Sequence, residues 1–244
     1  LPNESFRNAP DPPRGLARAA GVIKAARAQG TTLLFDTGDL LQGTPMAVLF
    51  EKSTSATHPA CKAIDDLGYD AITLGNHDFN FGLETAQRLY GGMPCPVVQS
   101  NVCDTTGAPL FAPTVILKLT VTDTAGKDHP IKIGLLGVLP PQVMEWDHDK
   151  LKGRVTVIDM VQAARDAARS LREQGADLIV ALAHTAPASG PQPEGAENRA
   201  HEIAALPDID VVLAGHSHRR LPASDYAGMP DVDSRSAPLA GTPA

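Results

Sequence analysis

The sequence predicts an α/β fold, and two observations support this prediction. Several apolar runs have the length and continuity of buried strands in a parallel sheet, and helical segments that end in glycine precede them. A helix predicted over Leu16–Ala28 leads into a strand over Thr32–Phe35, and a helix over Pro59–Leu67 leads into a strand over Ala71–Leu74. This repeated helix-to-strand order is typical of sheets that are covered by helices.

The rest of the chain continues this alternation after an irregular, proline-rich lead-in over Leu1–Arg14. Apolar runs predict further strands over Pro96–Asn101, Thr114–Thr122, Ile131–Val138, Asp177–Ala183 and Val211–Ala214. Helical spacing predicts helices over Leu83–Tyr90, Asp159–Gln174 and Glu197–Leu206, and a turn is expected over Thr124–His129.

Composition limits the class of protein. With 244 residues and 43% hydrophobic content, the chain is expected to form one large domain over residues 1–244. A formal net charge of -7 and the lack of a long apolar run argue against a nucleic-acid or membrane partner. The three cysteines form no metal-binding pattern, and at most Cys95 and Cys103 are expected to pair.

Four of the apolar runs end in side chains that are typical metal ligands. Ligands in open α/β folds gather outside the carboxyl ends of the strands, so one crevice is expected to receive all of these side chains. A carboxylate, an amide oxygen and several imidazoles suit a pair of borderline divalent ions such as Zn, Mn, Co or Fe. The candidate residues are Asp39, Asn76, His77, His184, His216 and His218.

Each motif has a simpler explanation when it is considered alone. An aspartate after a strand often caps a helix, an Asn-His pair often forms a turn, and a single histidine such as His184 is often a hydrogen-bonded surface residue. All four motifs, however, fall at the same structural position, the end of a strand that follows a helix. This coincidence favours a metal site.

These motifs resemble a known family. GDLLQGTP, HPACKAIDDLGYDAITLGNHDFNFGLE, VVQSNV, ALAHTA and GHSHRRLP resemble, in this order, the calcineurin-like binuclear metallophosphoesterases, in the branch of the 5'-nucleotidases and the bacterial 2',3'-cyclic-nucleotide 2'-phosphodiesterases with 3'-nucleotidase activity. The segment Pro140–Val155 and Asn80, where 5'-nucleotidases typically carry Asp, resemble the cyclic-phosphodiesterase group. The resemblance implies a sandwich of two mixed β-sheets flanked by helices.

The resemblance also implies roles for the candidate residues. Asp39 is expected to bridge two metal ions, while Asn76, His184 and His216 complete one site and His218 belongs to the other. Asn76 and His77 are expected to bind substrate, and His77 to act as the general acid. The family's Asp-x-His motif does not occur upstream of Asp39, so the chain is expected to begin after the first strand and to hold one of the family's two ions or neither.

The implied function is metal-dependent hydrolysis of a small nucleotide substrate. The expected reaction is conversion of 2',3'-cyclic nucleotides to 3'-nucleotides and then to nucleosides. One alternative is a 5'-nucleotidase or related phosphomonoesterase, and another is a catalytically silent metal-binding fragment. The resemblance further implies a periplasmic location and a C-terminal nucleotide-recognition domain outside this chain. Trp146 is expected to anchor its loop onto the core, because large aromatic side chains mainly contribute buried area.

Overall fold

The computed structural model describes residues 15–43, 45–51, 58–221 and 223–229. The predicted lead-in over Leu1–Arg14 lies outside these residues. The described part is a mixed α/β structure, as the sequence predicts. Among its helices, none has both the length and the apolar character that a membrane crossing needs.

The strands of the described residues form three groups. The largest is a four-stranded sheet in the order β4-β5-β7-β8, in which β5, β7 and β8 are parallel and β4 is antiparallel to β5. A parallel pair β1-β2 and an antiparallel pair β3-β6 form the other groups. The bounds are Phe35–Asp36 (β1), Ala71–Ile72 (β2), Val102–Asp104 (β3), Thr114–Thr122 (β4), Asp128–Val138 (β5), Val155–Val157 (β6), Leu178–Ala183 (β7) and Val211–Ala214 (β8).

Helices precede or follow most of these strands. The bounds are Leu16–Arg27 (α1), Pro45–Glu51 (α2), Pro59–Leu67 (α3), Leu83–Gly91 (α4), Val143–Trp146 (α5), His148–Leu151 (α6), Met160–Glu173 (α7) and Ala200–Ala204 (α8), with short 3₁₀ helices at Asn76–Phe79 and Ser224–Tyr226.

In the part of the chain that the structure describes, the core has three apolar clusters, which define the layers of a sandwich. Successive side chains of a strand point to opposite faces of its sheet, and in β5 Leu135 packs with Ala71 and Val98 while Leu136 packs with α7 residues such as Leu171. The cluster that contains Leu135, Ala71 and Val98 lies between the β1-β2 pair and the large sheet. A third cluster joins residues of α3 and α4 to Ile72 and neighbouring residues. The predicted sandwich flanked by helices is therefore confirmed.

Side chains begin α3 and α7, and a glycine ends α3. His58 precedes α3, and its Nδ1 accepts a hydrogen bond from the Ala60 amide at 3.1 Å, while Gly68 ends the helix in the left-handed conformation. Asp159 caps α7 by accepting hydrogen bonds from the amides of Val161 and Gln162, both at 3.0 Å. Local sequence signals thus set these boundaries.

Several predicted elements are shorter than expected. The strand expected over Thr32–Phe35 occupies Phe35–Asp36, and the segment Pro96–Asn101 makes only isolated bridges at Val97 and Val98. The helix expected over Glu197–Leu206 is limited to Ala200–Ala204, because the buried Thr185 hydroxyl donates to the Glu197 carbonyl oxygen and accepts from the Arg199 amide.

Other expectations were wrong or incomplete. Within the predicted turn over Thr124–His129, β5 already begins at Asp128. The cysteines, in contrast, agree with the expectation of at most one pair, since Cys61, Cys95 and Cys103 are all free thiols. The short elements α2, α5, α6, β3 and β6 carry no clear periodic pattern in the sequence, and none of them was predicted.

Candidate metal centre and active site

The carboxyl ends of two parallel strand pairs bring the candidate ligands together. Asp39 and Asn76 follow β1 and β2, whereas His184 and His216 directly follow β7 and the Gly215 turn after β8. His184 Nδ1 lies 2.8 Å from the carbonyl oxygen of Thr37, in the loop after β1. Because a carbonyl oxygen only accepts, Nδ1 carries a proton, and this hydrogen bond joins the two sheets at the site.

Three donor atoms meet beside His184. Its Nε2 lies 3.1 Å from Oδ2 of Asp39 and 3.2 Å from Oδ1 of Asn76. Since the Thr37 carbonyl holds the proton on Nδ1, Nε2 remains to share a cation with the two oxygens, and a backbone partner on the far nitrogen is the usual arrangement behind a metal-binding histidine. One carboxylate oxygen, one amide oxygen and one imidazole nitrogen therefore fit a divalent ion.

Without a metal ion, Asp39 and His184 stabilise each other's charged forms. Burial alone lowers the pKa of His184, but its hydrogen bond and charge interaction with Asp39 outweigh burial and raise that pKa overall. For Asp39, burial raises the pKa, and the same contacts with His184 outweigh it, so that the pKa is lowered. The site therefore favours a carboxylate next to a positive charge, which a proton or a metal ion supplies.

Backbone strain marks the same region. In the described residues, every non-glycine residue with a positive φ is a candidate ligand: Asp39 at 64°, His216 at 74° and His218 at 57°. Such a conformation is uncommon for these side chains, and strain of this kind concentrates at functional sites. The strained turns are thus consistent with loops shaped for ligand geometry.

Glycine allows the two loops to approach each other. A Cβ atom at Gly75 would lie 2.7 Å from His184 Nδ1 and closer still to the Asp39 carboxylate, so any side chain there would displace both candidate ligands. Gly38 has a φ of 101°, and a Cβ there would lie 2.6 Å from the carbonyl carbon of Leu74. Both positions therefore require glycine, because a larger residue would clash with neighbouring atoms at the site.

A buried carboxylate fixes the loops that carry the ligands. Asp78 accepts hydrogen bonds from the amides of Asp39, Leu41 and Gly75 at 2.8, 2.9 and 2.8 Å. Burial raises the pKa of Asp78, and the amides of Gly75 and Leu41 oppose this effect. Asp78 therefore stabilises the loops that carry Asp39 and Gly75.

His216 lies beside this set, and its ring is held on two sides. Its centroid is 5.0 Å from that of His184, and the Trp146 ring stacks on it at 5.8 Å with an interplanar angle of 24°. Its Nε2 lies 2.6 Å from Oε1 of Glu197. Because the carboxylate accepts the Nε2 proton, Nδ1 is the nitrogen left for a ligand.

The structure brings the candidate ligands together only in part. His218 is exposed, and the described residues contain no group of three or more His, Cys, Asp and Glu side chains arranged around one point as a metal site. The convergent set consists of two such side chains, Asp39 and His184, with the amide of Asn76 as the third donor.

His77 is next to this set and faces solvent. Its backbone amide donates to Oδ1 of Asp39 at 2.8 Å, and its ring Nδ1 lies 2.7 Å from Oδ1 of Asn80. The side chain itself is exposed. An imidazole placed here can reach a substrate that is bound beside Asp39.

Sequence reasoning missed Glu197 and misjudged Trp146. Glu197 lies in a loop with no recognisable motif, and its only local signal is its position between His184 and His216. Trp146 was expected to pack onto the core, but it is 46% exposed and stacks on His216 instead. The GHSH turn after β8 presents an imidazole face that covers the indole.

Comparisons with known proteins agree with this arrangement. The sequence matches the calcineurin-like phosphoesterase family over residues 12–220. The 2',3'-cyclic-nucleotide 2'-phosphodiesterase/3'-nucleotidase of Haemophilus influenzae is 40% identical over 243 residues, which cover 98% of this chain and 37% of that protein. The trifunctional nucleotide phosphoesterase protein YfkN of Bacillus subtilis is 39% identical over 238 residues, which cover 94% of this chain and 16% of that protein.

Solved structures show the same fold. The crystal structure of the calcineurin-like phosphoesterase YfkN from Bacillus subtilis matches with a TM-score of 0.90 and 36% identity, over 95% of this chain and 72% of that chain. A putative 5'-nucleotidase from Staphylococcus aureus matches with a TM-score of 0.74 and 23% identity, over 90% of this chain and 43% of that chain. From its sequence and its fold, this chain belongs to the calcineurin-like phosphoesterase family.

Proposed function

We propose that the protein hydrolyses nucleotide phosphate esters at the carboxyl ends of β1, β2, β7 and β8, converting 2',3'-cyclic nucleotides to 3'-nucleotides and then to nucleosides. The observation that supports this most directly is the convergence of Asp39 Oδ2, Asn76 Oδ1 and His184 Nε2 next to the exposed imidazole of His77. The name of the Haemophilus influenzae relative describes the same reaction sequence.

Calcineurin-like phosphoesterases use divalent metal ions. We assign one ion to Asp39, Asn76, His184 and Nδ1 of His216, and a second ion to Asp39 and His218, from Zn, Mn, Co or Fe. When bound, such ions supply a nucleophilic water at neutral pH and positive charge for the phosphoryl oxygens. The family relationship and the three convergent donors support the first ion, and the resemblance alone supports the second.

His77 is assigned two roles toward the substrate. With Asn76 it contacts the phosphoryl group, and its outer ring nitrogen donates a proton to the leaving 2'-oxygen as the cyclic ester opens. The ring is suited to this role because Asn80 binds Nδ1, which leaves Nε2 on the opposite edge of an exposed side chain. Asn76 Oδ1 is shared with His184, so the same amide links the substrate to the metal ligands.

Two features favour the cyclic substrate over a 5'-nucleotide. Asn80 stands where the 5'-nucleotidases typically carry Asp, and the segment Pro140–Val155 resembles the cyclic-phosphodiesterase group. In the structure these features touch each other, since Asn80 Nδ2 donates to Oδ2 of Asp147 at 2.7 Å. Their contact supports a shared role at His77.

The chain spans 37% of the length of the Haemophilus influenzae relative. We propose that residues 1–244 are the catalytic domain of the protein and that a small nucleotide is its partner in the site. A periplasmic location is proposed from the resemblance. The experiments on turnover therefore use the full-length protein.

The test is to compare the turnover of 2',3'-cyclic AMP, 3'-AMP and 5'-AMP by the full-length protein after reconstitution with Mn²⁺. We expect the cyclic ester and 3'-AMP to be hydrolysed faster than 5'-AMP, and His77→Ala to lower kcat about 10²-fold or more. The control is His201→Ala, because His201 lies on α8 and the described contact of its ring is with the Ala188 carbonyl oxygen.

Each remaining outcome identifies an alternative. Faster hydrolysis of 5'-AMP would assign the protein to the 5'-nucleotidases or related phosphomonoesterases. Ion binding without turnover of any of the three substrates would identify a catalytically silent metal-binding protein.

A further inference from the structure

We infer that Asp147 is a positioning residue, which fixes the amide of Asn80 and through it the protonation pattern of His77. The catalytic importance of this arrangement depends on the proposed function, whereas the hydrogen-bond pattern does not. Asp147 lies between α5 and α6 in the segment that resembles the cyclic-phosphodiesterase group, 67 positions from Asn80 in the chain.

The four residues involved form one chain of hydrogen bonds. His77 Nδ1 lies 2.7 Å from Oδ1 of Asn80, and Asn80 Nδ2 lies 2.7 Å from Oδ2 of Asp147. The other carboxylate oxygen of Asp147 accepts from Lys150 Nζ at 2.6 Å. The Asp147 side chain is 2% exposed, whereas that of Lys150 is 43% exposed. The chain of contacts thus runs from an exposed ammonium group through a buried carboxylate to the exposed ring of His77.

Asp147 determines which way the Asn80 amide faces. An asparagine amide has an oxygen that accepts and a nitrogen that donates, and its two orientations differ mainly in their hydrogen bonds. A carboxylate offers only acceptors, so Nδ2 of Asn80 must face Asp147 and Oδ1 must face His77. The reverse orientation would place the amide oxygen against the carboxylate, at the cost of a hydrogen bond at a buried group.

The fixed amide in turn determines where the His77 proton lies. The Asn80 oxygen can only accept, so Nδ1 of His77 must carry a proton. The neutral ring then has its free lone pair on Nε2, and the charged ring has a second proton there. In both states Nε2 is the nitrogen that exchanges a proton with the substrate.

A carboxylate is required at position 147 because two donors meet there. Lys150 Nζ and Asn80 Nδ2 each use one oxygen of Asp147. An asparagine at this position has one oxygen, so one of the two donors would face its NH₂ group. The neutral Asn80 and the anionic Asp147 are therefore a matched pair. Asn80 contacts His77 directly, and the negative charge lies on Asp147, which contacts Asn80.

The matched pair predicts that an exchange of the two side chains restores the pattern. In the double variant Asn80→Asp, Asp147→Asn, the new carboxylate accepts from His77 Nδ1 and from the amide nitrogen at position 147. The amide oxygen at position 147 accepts from Lys150. Every donor again has an acceptor, although the amide and the carboxylate have exchanged positions.

The first readout is the ring ¹⁵N spectrum of His77 in the metal-free chain, which distinguishes the two tautomers of the neutral ring. His77→Gln identifies the His77 signals. We expect the Nδ1–H tautomer in the wild type and in the double variant, and loss of this preference in Asp147→Asn. The exposed Asp149, two residues further along in α6, provides the control Asp149→Asn.

The second readout is turnover of 2',3'-cyclic AMP by the full-length protein. We expect Asp147→Asn to lower kcat by about tenfold or more with a smaller change in KM, and the double variant to regain most of the loss. Asn80→Asp alone places two carboxylates next to each other, and its turnover should also be impaired. We therefore expect Asp147→Asn to lower turnover in the wild type but to raise it in the Asn80→Asp variant.

Two results would overturn the inference. One is an unchanged His77 tautomer in a folded Asp147→Asn variant, and the other is a double variant that is as impaired as the sum of its single variants. If Asp147→Asn does not fold, the comparison of Asn80→Asp with the double variant decides the question. A wild type that hydrolyses no nucleotide but keeps the expected tautomer pattern would refute the proposed function and leave the positioning role of Asp147 in place.

Discussion

Oδ2 of Asp39 lies 3.1 Å from Nε2 of His184, although the two residues follow strands of different sheets, β1 and β7. The contact forms because the loop after β1 and the end of β7 meet, and because Gly75 leaves room between them. It combines a strained backbone at Asp39 with a histidine whose other nitrogen is bound to the Thr37 carbonyl. This pair is the centre of the proposed metal site.

Replacement of His184 by alanine should abolish tight binding of a divalent ion. The change removes one of the three convergent donors and leaves the Thr37 carbonyl without its partner, which should also destabilise the metal-free fold by about 1–3 kcal/mol. Titration calorimetry with Mn²⁺ and thermal unfolding measure the two effects. His129→Ala is the matched control, because the His129 side chain, at the start of β5 and far from the site, is 43% exposed and pairs with Asp123. Wild-type Mn²⁺ affinity in His184→Ala would exclude His184 as a ligand.

Glu197 should influence ion binding through His216. Its carboxylate holds the Nε2 proton of His216 and so presents Nδ1, and loss of such a partner commonly weakens metal affinity about 10–100-fold. We expect Glu197→Ala to show this loss in Mn²⁺ titrations and Glu197→Gln, which keeps an acceptor oxygen, to show less. Glu194→Ala is the control, since Glu194 is exposed in the same loop. Equal affinities in all three variants would argue that His216 binds no ion.

The space at Gly75 gives a steric prediction. Gly75→Ala places a methyl group against Asp39 and His184. The variant should lose Mn²⁺ binding, and its free energy of unfolding should fall by about 1–3 kcal/mol. Gly21→Ala tests the same substitution in α1, where nothing lies within 4 Å, and it should be neutral or stabilise by up to about 1 kcal/mol. An unaltered Mn²⁺ titration for Gly75→Ala would mean that the two loops are farther apart than the structure has them.

Asp159 should make the fold sensitive to acid. Burial raises the pKa of Asp159, but the amides of Gly195, Gln162 and Val161 and the charge of Arg199 outweigh it and lower that pKa. A lowered pKa means that the carboxylate stabilises the fold above its unfolded pKa of about 3.9, and that this contribution is lost as the pH falls through the folded value.

Chemical denaturation of wild type and Asp159→Asn across the acid range measures this contribution. The variant should be less stable by about 1–2 kcal/mol near neutral pH, because its NH₂ group cannot accept from the Gly195 amide or pair with Arg199, while its Oδ1 can still cap α7. The difference should shrink as the pH falls below about 4. A constant difference at all pH values would contradict the role of the charge. Asp166→Asn is the control, because Asp166 lies on the exposed side of α7.

The sequence predicts those parts of the site that depend on local signals. Asp39, Asn76, His184 and His216 follow apolar strand runs, and the parallel order of these strands brings their ends together. The cap at Asp159 and the left-handed Gly68 are local signals of the same kind. For these residues, the identity of a few neighbours in the chain is enough to predict their place in the fold.

Contacts between distant loops could not be predicted in the same way. Glu197 meets His216, and Asp147 meets Asn80, because loops far apart in the chain fold over the strand ends. Neither residue has a periodic or motif signal that assigns its partner. The stacking of Trp146 on His216 likewise depends on where the GHSH turn lies, so an argument from side-chain size alone assigned Trp146 to the core.

The most direct test of a metal-dependent phosphoesterase centre at these strand ends combines two quantities in the full-length protein. Bound metal is measured by elemental analysis after reconstitution with Mn²⁺, and the conversion of 2',3'-cyclic AMP to 3'-AMP and adenosine is followed by chromatography, for wild type and Asp39→Asn. We predict that the wild type holds Mn²⁺ and turns over the cyclic ester, and that Asp39→Asn loses both. Turnover that persists in Asp39→Asn, or in the wild type after a chelator has removed its metal, would contradict the account.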